Sequence, residues 1–229
     1  MVDLPPAPYL IPLVGAVLSA VAVLVLQNDL GMAALVVLGA FATVAGIVRS
    51  KASLGAAGAF LVIAAVASFA ATPRVRDRVA GWLDPWHDPA GSGFQFVQAD
   101  FTLASGGMLG HTGATTALSV PEIHTDFVLV GIGSQFGWMG SLAVLVLAGI
   151  LVCRCTLTTL RVSDGFQSLL AFSLSALLGI QVILISGGTL RVLPLTGLTF
   201  PLLSYGGTSM VATMFALGVV AGLGRCNTE

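Results

Sequence analysis

Charge is scarce in this sequence. Its 229 residues carry nine Lys and Arg against ten Asp and Glu, 8% in all, with a net charge of −1. Soluble domains average about 25% charged residues. The scarcity excludes an ordinary soluble domain, a disordered chain and a coiled coil, and without surplus positive charge there is no basic surface for nucleic acid. Cysteine is nearly absent as well. Cys153, Cys155 and Cys226 are odd in number and form no CxxC or zinc spacing, so they read as small apolar residues near helix ends. No GxSxG surrounds Ser204, which argues against a serine nucleophile. The glycines at 105–113 read as flexible-loop signals, because they follow no strand and match no phosphate-cradling motif. The first ten residues lack a basic region and a small-residue cleavage site, so no cleaved leader is expected.

What is abundant is apolar. Hydrophobic residues make up 56% of the chain, glycine adds 28 more, and the mean hydropathy is +1.00. The expected fold is all-α, a polytopic transmembrane bundle of about six helices in a single membrane domain. Charge-free runs place the spans at 9–26, 30–48, 52–72, 127–153, 166–188 and 208–224, each near the ~20 residues that cross ~30 Å of hydrocarbon. Pro194, Pro201 and Gly206–Gly207 interrupt the last apolar run, so 191–207 is read as irregular. Non-helical backbone at membrane depth must be buried in protein or line a cavity, which makes that segment a site candidate. One long loop, 74–125, holds all three histidines and more than half of the acids lie in it or at its edge. Arg49, Lys51, Arg154, Arg161 and Arg225 share one side if both termini are cytoplasmic, which leaves the long loop outside.

Several residues carry possible chemistry. Asp126 directly precedes an apolar run and so sits at the outer membrane margin, where an ionisable group tends to be functional. It reads equally well as a helix N-cap. Arg76 and Arg78 could hold a phosphate bidentately, or simply contact lipid headgroups. Asp84, His87, Asp88 and His124 include metal-ligating types, yet DPWHDP reads first as a rigid turn. Asp29 is at least as well explained as a cap for the span that follows.

Read together, five segments resemble the SEDS family (shape, elongation, division, sporulation), of FtsW/RodA/SpoVE type. PEIHTDFVLVGIGSQFGWMG, 121–140, aligns with PExHTDFIFAxxxEELG. LPLTGLTFPLLSYGGTS, 193–209, aligns with LPxTGxPLPFxSYGGSS. QNDLGMA at 27–33, RDRVAGWLDPWHDPAGSGFQ at 76–95 and SGGMLG at 105–110 match three further family motifs in order. LRVLPLTGLTFP, 190–201, is similar to the actinobacterial branch. Asn28 stands where the family has proline, and Ser134 and Gln135 stand where it has two acids. The match corresponds to the last six of the family's ten helices, which raises the expectation of a shortened chain or a start further upstream.

The resemblance implies a multi-pass protein of the cell membrane that polymerises lipid II, a disaccharide-pentapeptide on undecaprenyl pyrophosphate, into peptidoglycan strands for division or cell shape. It implies a class B penicillin-binding protein as partner, alongside membrane lipids. Asp126 maps to the family's essential acid, as base or as ligand of a divalent cation (Mg or Mn). By the same reasoning Arg76 and Arg78 contact pyrophosphate. Gln95, Gln98 and His124 shape the sugar site, Glu122 and Thr125 bind substrate, and Ser204, Tyr205, Gly206 and Gly207 shape the wall beneath. Two alternatives carry different expectations. A non-catalytic scaffold would bind lipid II or a penicillin-binding protein without turnover. A flippase would move the lipid-linked precursor, using the broken helix near 191–207.

Overall fold

A computed structural model describes residues 7–27, 29–47, 55, 58–59, 72–110 and 120–226. Among these residues stand seven helices and no strand: α1 (Ala7–Leu26), α2 (Leu30–Ile47), α3 (Pro73–Leu83), α4 (Phe94–Gly106), α5 (Val128–Thr159), α6 (Gly165–Thr189) and α7 (Gly207–Cys226). The helix starts have local causes. Asp29 Oδ1 accepts the Met32 N–H at 3.0 Å and Asp164 Oδ1 accepts the Gln167 N–H at 2.8 Å, so each is a side-chain N-cap. Asp29 is thereby accounted for without catalysis. Pro73 opens α3, where its missing N–H removes no helical bond.

Helices α1, α2, α6 and α7 occupy the places read as spans 9–26, 30–48, 166–188 and 208–224, while nearly all of 52–72 lies outside the described residues. The stretch read as one polar loop, 74–125, holds α3 and α4. Between them DPWHDP is a turn: Asp88 Oδ2 accepts the Ser92 N–H at 2.9 Å, and the Asp88 carbonyl accepts those of Gly91 and Gly93.

The apolar run read as a single span at 127–153 is two helices. Gly137 has φ 71° and ψ −177° and breaks α5 into arms 128–136 and 138–159. Ser141 Oγ donates to the Leu129 carbonyl at 2.8 Å. On a straight helix these residues would be about 18 Å apart. The first arm therefore folds back beside the second, and Leu129 lies level with Ser141. At 1.5 Å per residue the first arm rises only about 13 Å and the second about 33 Å, so only the second is long enough to cross the hydrocarbon. Among the described residues, α6, α7 and, through its second arm, α5 meet the length and apolarity that a crossing needs.

The reversal is held by a turn from elsewhere in the chain. The N–H groups of Trp138 and Met139, orphaned at the start of the second arm, donate to the carbonyls of Gly107 (3.0 Å) and Met108 (3.3 Å). The glycines at 105–110 thus form a tight backbone plug rather than a flexible loop.

The chain divides into two units. Met1–Ala67, Val152–Ile180 and Phe215–Glu229 form the first, in which Thr43 Oγ1 on α2 donates to Ser173 Oγ on α6 at 3.1 Å. Ser68–Leu151 and Gln181–Met214 form the second. Its core is Ala99 of α4 with Val120, Phe127 and Val130, flanked by Leu103, Ile123 and Leu195. Every candidate site residue belongs to this second unit.

Candidate functional site around Asp126

Asp126 is placed by a tight turn and by its neighbour. The Glu122 carbonyl accepts the N–H groups of Thr125, Asp126 and Phe127 at 3.0–3.2 Å, which requires Glu122 to adopt φ 55°. Phe127 is 0% exposed and anchors the turn in the core. Asp126 itself is half-buried at the head of α5. Thr125 Oγ1 donates to Glu122 Oε2 at 3.0 Å and also meets the Glu122 carbonyl.

The irregular segment after α6 closes on this turn. Ser204, 4% exposed, donates through Oγ to the Thr125 carbonyl at 2.5 Å and accepts the Phe200 N–H at 2.8 Å. The Tyr205 N–H donates to the His124 carbonyl at 2.8 Å. Further along, Gln181 Nε2 donates to the Thr199 carbonyl at 2.8 Å, and Thr199 Oγ1 donates to Ser209 Oγ at 2.7 Å. These bonds satisfy a non-helical backbone internally. They also join two motifs some 80 positions apart. Ser204→Ala removes the donor to the half-buried Thr125 carbonyl and the acceptor of the buried Phe200 N–H, so a loss of about 1–3 kcal/mol is expected, read as a lower unfolding midpoint of the detergent-solubilised protein.

Arg78 on α3 reaches the same place. Its Nη1 donates to the Thr196 carbonyl at 3.4 Å. A Cβ built on Gly197 would stand 3.6 Å from Asp126 Oδ2 and 3.7 Å from Arg78 Nη2. Carboxylate and guanidinium therefore flank one stretch of bare backbone, held at φ 72°, where a side chain would be strained. Burial pushes the Asp126 carboxyl above the usual carboxylate range. The Thr125 hydroxyl pulls it back, the Glu122 charge raises it and the Arg78 charge lowers it.

Of the residues expected at the site, the structure brings together Arg78, Glu122, Thr125, Asp126 and Ser204, with Tyr205 joined through its backbone. Gly206 and Gly207 lead into α7. Arg76 is not gathered in: both arginines are exposed, but two residues before Arg78 on one helix it projects about 200° round the axis. The paired-arginine reading thus narrows to Arg78. Gln95 and Gln98 are half-buried on α4, and neither is hydrogen-bonded to Asp126. The His124 side chain is exposed, and its contribution here is its carbonyl. Among the described residues, Asp84, His87, Asp88 and His124 form no group of three potential metal ligands.

Sequence reasoning missed Thr189, Trp82, Asp100 and Arg191. Thr189 Oγ1 lies 3.5 Å from the Asp126 carbonyl and donates to Ile185 at 2.9 Å. It also lines an apolar cavity of about 150 Å³ with Leu103, Leu129, Val130, Trp138 and Leu142. Arg191 had a signal: it is the lone charge between 165 and 224, and an isolated ionisable group in apolar sequence points to a specific partner.

The family model FTSW_RODA_SPOVE, described as a cell cycle protein, matches residues 2–229. The chain is 38% identical over 215 residues to peptidoglycan glycosyltransferase RodA of Mycobacterium tuberculosis, covering 93% of this chain and 45% of that protein. It therefore spans about half the length of the curated relatives it matches. A solved structure of a peptidoglycan synthase complex that coordinates polymerization and crosslinking superposes with TM-score 0.74 at 34% identity, over 93% of this chain and 60% of that one. A crystal structure of a point variant of the Thermus thermophilus rod shape determining protein RodA gives TM-score 0.64 at 26% identity, over 99% and 60%.

Proposed function

The chain belongs to the FtsW/RodA/SpoVE family and is a membrane protein, and from that premise we propose that it polymerises lipid II into peptidoglycan strands, with Asp126 as general base. One observation carries the reading. The half-buried carboxylate of Asp126 and the guanidinium of Arg78 flank the same bare backbone at Gly197. Transglycosylation needs both kinds of group. A base takes the proton of the attacking sugar hydroxyl while that oxygen bonds to the anomeric carbon of the donor. The bond from that carbon to pyrophosphate breaks, and the leaving anion needs a cation. The proton ends on Asp126, and Arg78 meets the pyrophosphate. The apolar cavity lined by Thr189 supports a lipid-linked substrate, since about 150 Å³ holds a benzene-sized group, the bulk of one branched unit of an isoprenoid carrier.

The site is assigned to the outer face, with both termini cytoplasmic, and a class B penicillin-binding protein is the proposed partner. Gln95, Gln98 and His124 are assigned to the sugar-binding wall, and Arg76 to headgroup contact. A divalent cation, Mg or Mn, is the second reading of Asp126. The protein donors suit it poorly: Glu122 Oε2 is tied to Thr125, and Arg78 already supplies positive charge. Such an ion would have to arrive with the substrate's phosphates.

The test is the purified chain in proteoliposomes with lipid II, read as a ladder of glycan products. Copurification with a penicillin-binding protein but no polymer would favour the scaffold, and labelled lipid crossing the bilayer without polymer would favour the flippase. The pH profile follows from the Asp126 shift. A base works ionised, and a raised pKa means that ionisation is lost at a higher pH than for an ordinary aspartate. The acid limb of the rate is expected above the usual carboxylate range. It should move further up in Arg78→Met, which removes a charge that holds the pKa down. An acid limb at the ordinary aspartate position in the parent chain contradicts this.

A further inference from the structure

Helix α6 ends in a Schellman motif. The Val192 N–H donates to the Gly187 carbonyl at 2.8 Å and the Arg191 N–H to that of Gly188 at 3.2 Å, so Arg191 occupies the left-handed position, φ 59°. Glycine is the usual residue there, because a Cβ is disfavoured. Arginine in that place calls for a compensating role, and its side chain shows one. Arg191 Nη1 is paired to Asp100 Oδ2 on α4 at 2.9 Å. Its Nη2 lies 3.5 Å from the Trp82 carbonyl at the end of α3, and the Trp82 indole N–H donates back to the Arg191 carbonyl at 2.9 Å. The remaining guanidinium nitrogen, Nε, is buried without a hydrogen-bond partner. That group is therefore held by the fold at some expense in solvation.

One residue thus ties α3, α4 and the end of α6 together. Trp82 lies four residues after Arg78, on the same face of α3. Thr189, two residues before Arg191, touches the Asp126 carbonyl. We infer that Arg191, through Asp100 and Trp82, is a positioning residue that sets the guanidinium of Arg78 against the carboxylate of Asp126. This rests on the proposed polymerase reading and adds to it a clamp lying outside the groups that meet substrate.

Arg191→Gly separates backbone from side chain, because glycine relaxes the left-handed position while the clamp is lost. The variant is expected to fold with an unfolding midpoint at or above that of the parent. Hydrogen exchange of the α3 amides should quicken about tenfold, and kcat/KM for lipid II should fall by about 10- to 100-fold, the scale of a misplaced group. Arg191→Lys, which keeps the pair to Asp100, should lose less. In an Arg78→Met background Arg191→Gly should cost nothing further, since residues that act through one another are not additive. Should Arg191→Gly fail to fold, Asp100→Asn breaks the same pair isosterically and should give the same pattern. Unchanged α3 exchange, or an equal loss with and without Arg78, overturns the clamp. A parent chain that makes no polymer overturns the polymerase reading instead, and the α3 exchange still decides whether the clamp exists.

Discussion

Asp126→Asn is expected to lower glycan polymerisation by about 10²- to 10⁴-fold, the range that a positioned general base supplies, and to leave the protein as stable as before or more so. The two halves of that expectation have one cause. Burial raises the Asp126 pKa, which moves the base toward the pH at which it must work. The same burial means that the folded protein binds the proton more tightly than the unfolded chain. Stability therefore falls as pH rises from the ordinary aspartate value through the raised one. At neutral pH the ionised group is a burden on the fold, and an isosteric amide removes it. The Asp126 N–H to the Glu122 carbonyl is a backbone bond and survives the change. Product gels on lipid II and a thermal unfolding midpoint check both halves. A variant that keeps its product ladder rejects the base, and one that unfolds at a clearly lower temperature rejects the account of the burial.

Gly137→Ala is expected to destabilise the second unit by about 3 kcal/mol or more, combining a glycine-only backbone conformation with overpacking. At φ 71° and ψ −177° no side chain is accommodated without strain. An added Cβ would meet the Met108 carbonyl oxygen at 2.3 Å, a backbone atom that cannot swing aside. Gly149→Ala, on the second arm of the same helix with nothing within 4 Å of the new methyl, is the matched control and should be neutral or slightly stabilising. Urea or thermal unfolding of the two variants should diverge. Equal midpoints would mean that α5 tolerates a straighter path than the one described.

The outcome at Gly137 marks where the sequence could be read and where it could not. Long apolar runs become helices because the bilayer leaves the backbone no other partners, so the positions of α1, α2, α6 and α7 were visible as charge-free stretches. The irregular segment before α7 was visible through its prolines. The break in α5 was hidden, because Gly137 lies inside one long charge-free run and the groups that stabilise the reversal lie about 30 positions earlier. The Asp126 acid and Ser204 were visible as members of motifs, but their junction through the Thr125 carbonyl was not, since a carbonyl has no identity in the sequence. The divergence of Arg76 from Arg78 was hidden for a related reason: spacing by two looks like a pair in a string and points to different sides of a helix. Arg191 is visible in the sequence only as an isolated charge, because its meaning depends on Asp100 and Trp82, both far away in the chain.

The joint that turns α5 back on itself is made of peptide groups on both sides, the N–H donors of 138–139 meeting the carbonyls of 107–108. Main-chain atoms are the same in every amino acid. The elevation of Asp126 relative to the helix that follows it is therefore insulated from drift in the surrounding side chains. Ser134 and Gln135 can stand in the short arm below it without shifting it. What the joint does demand is glycine at 106, 110 and 137, where a Cβ would strike backbone atoms; its bonds ask nothing of the side chains around it.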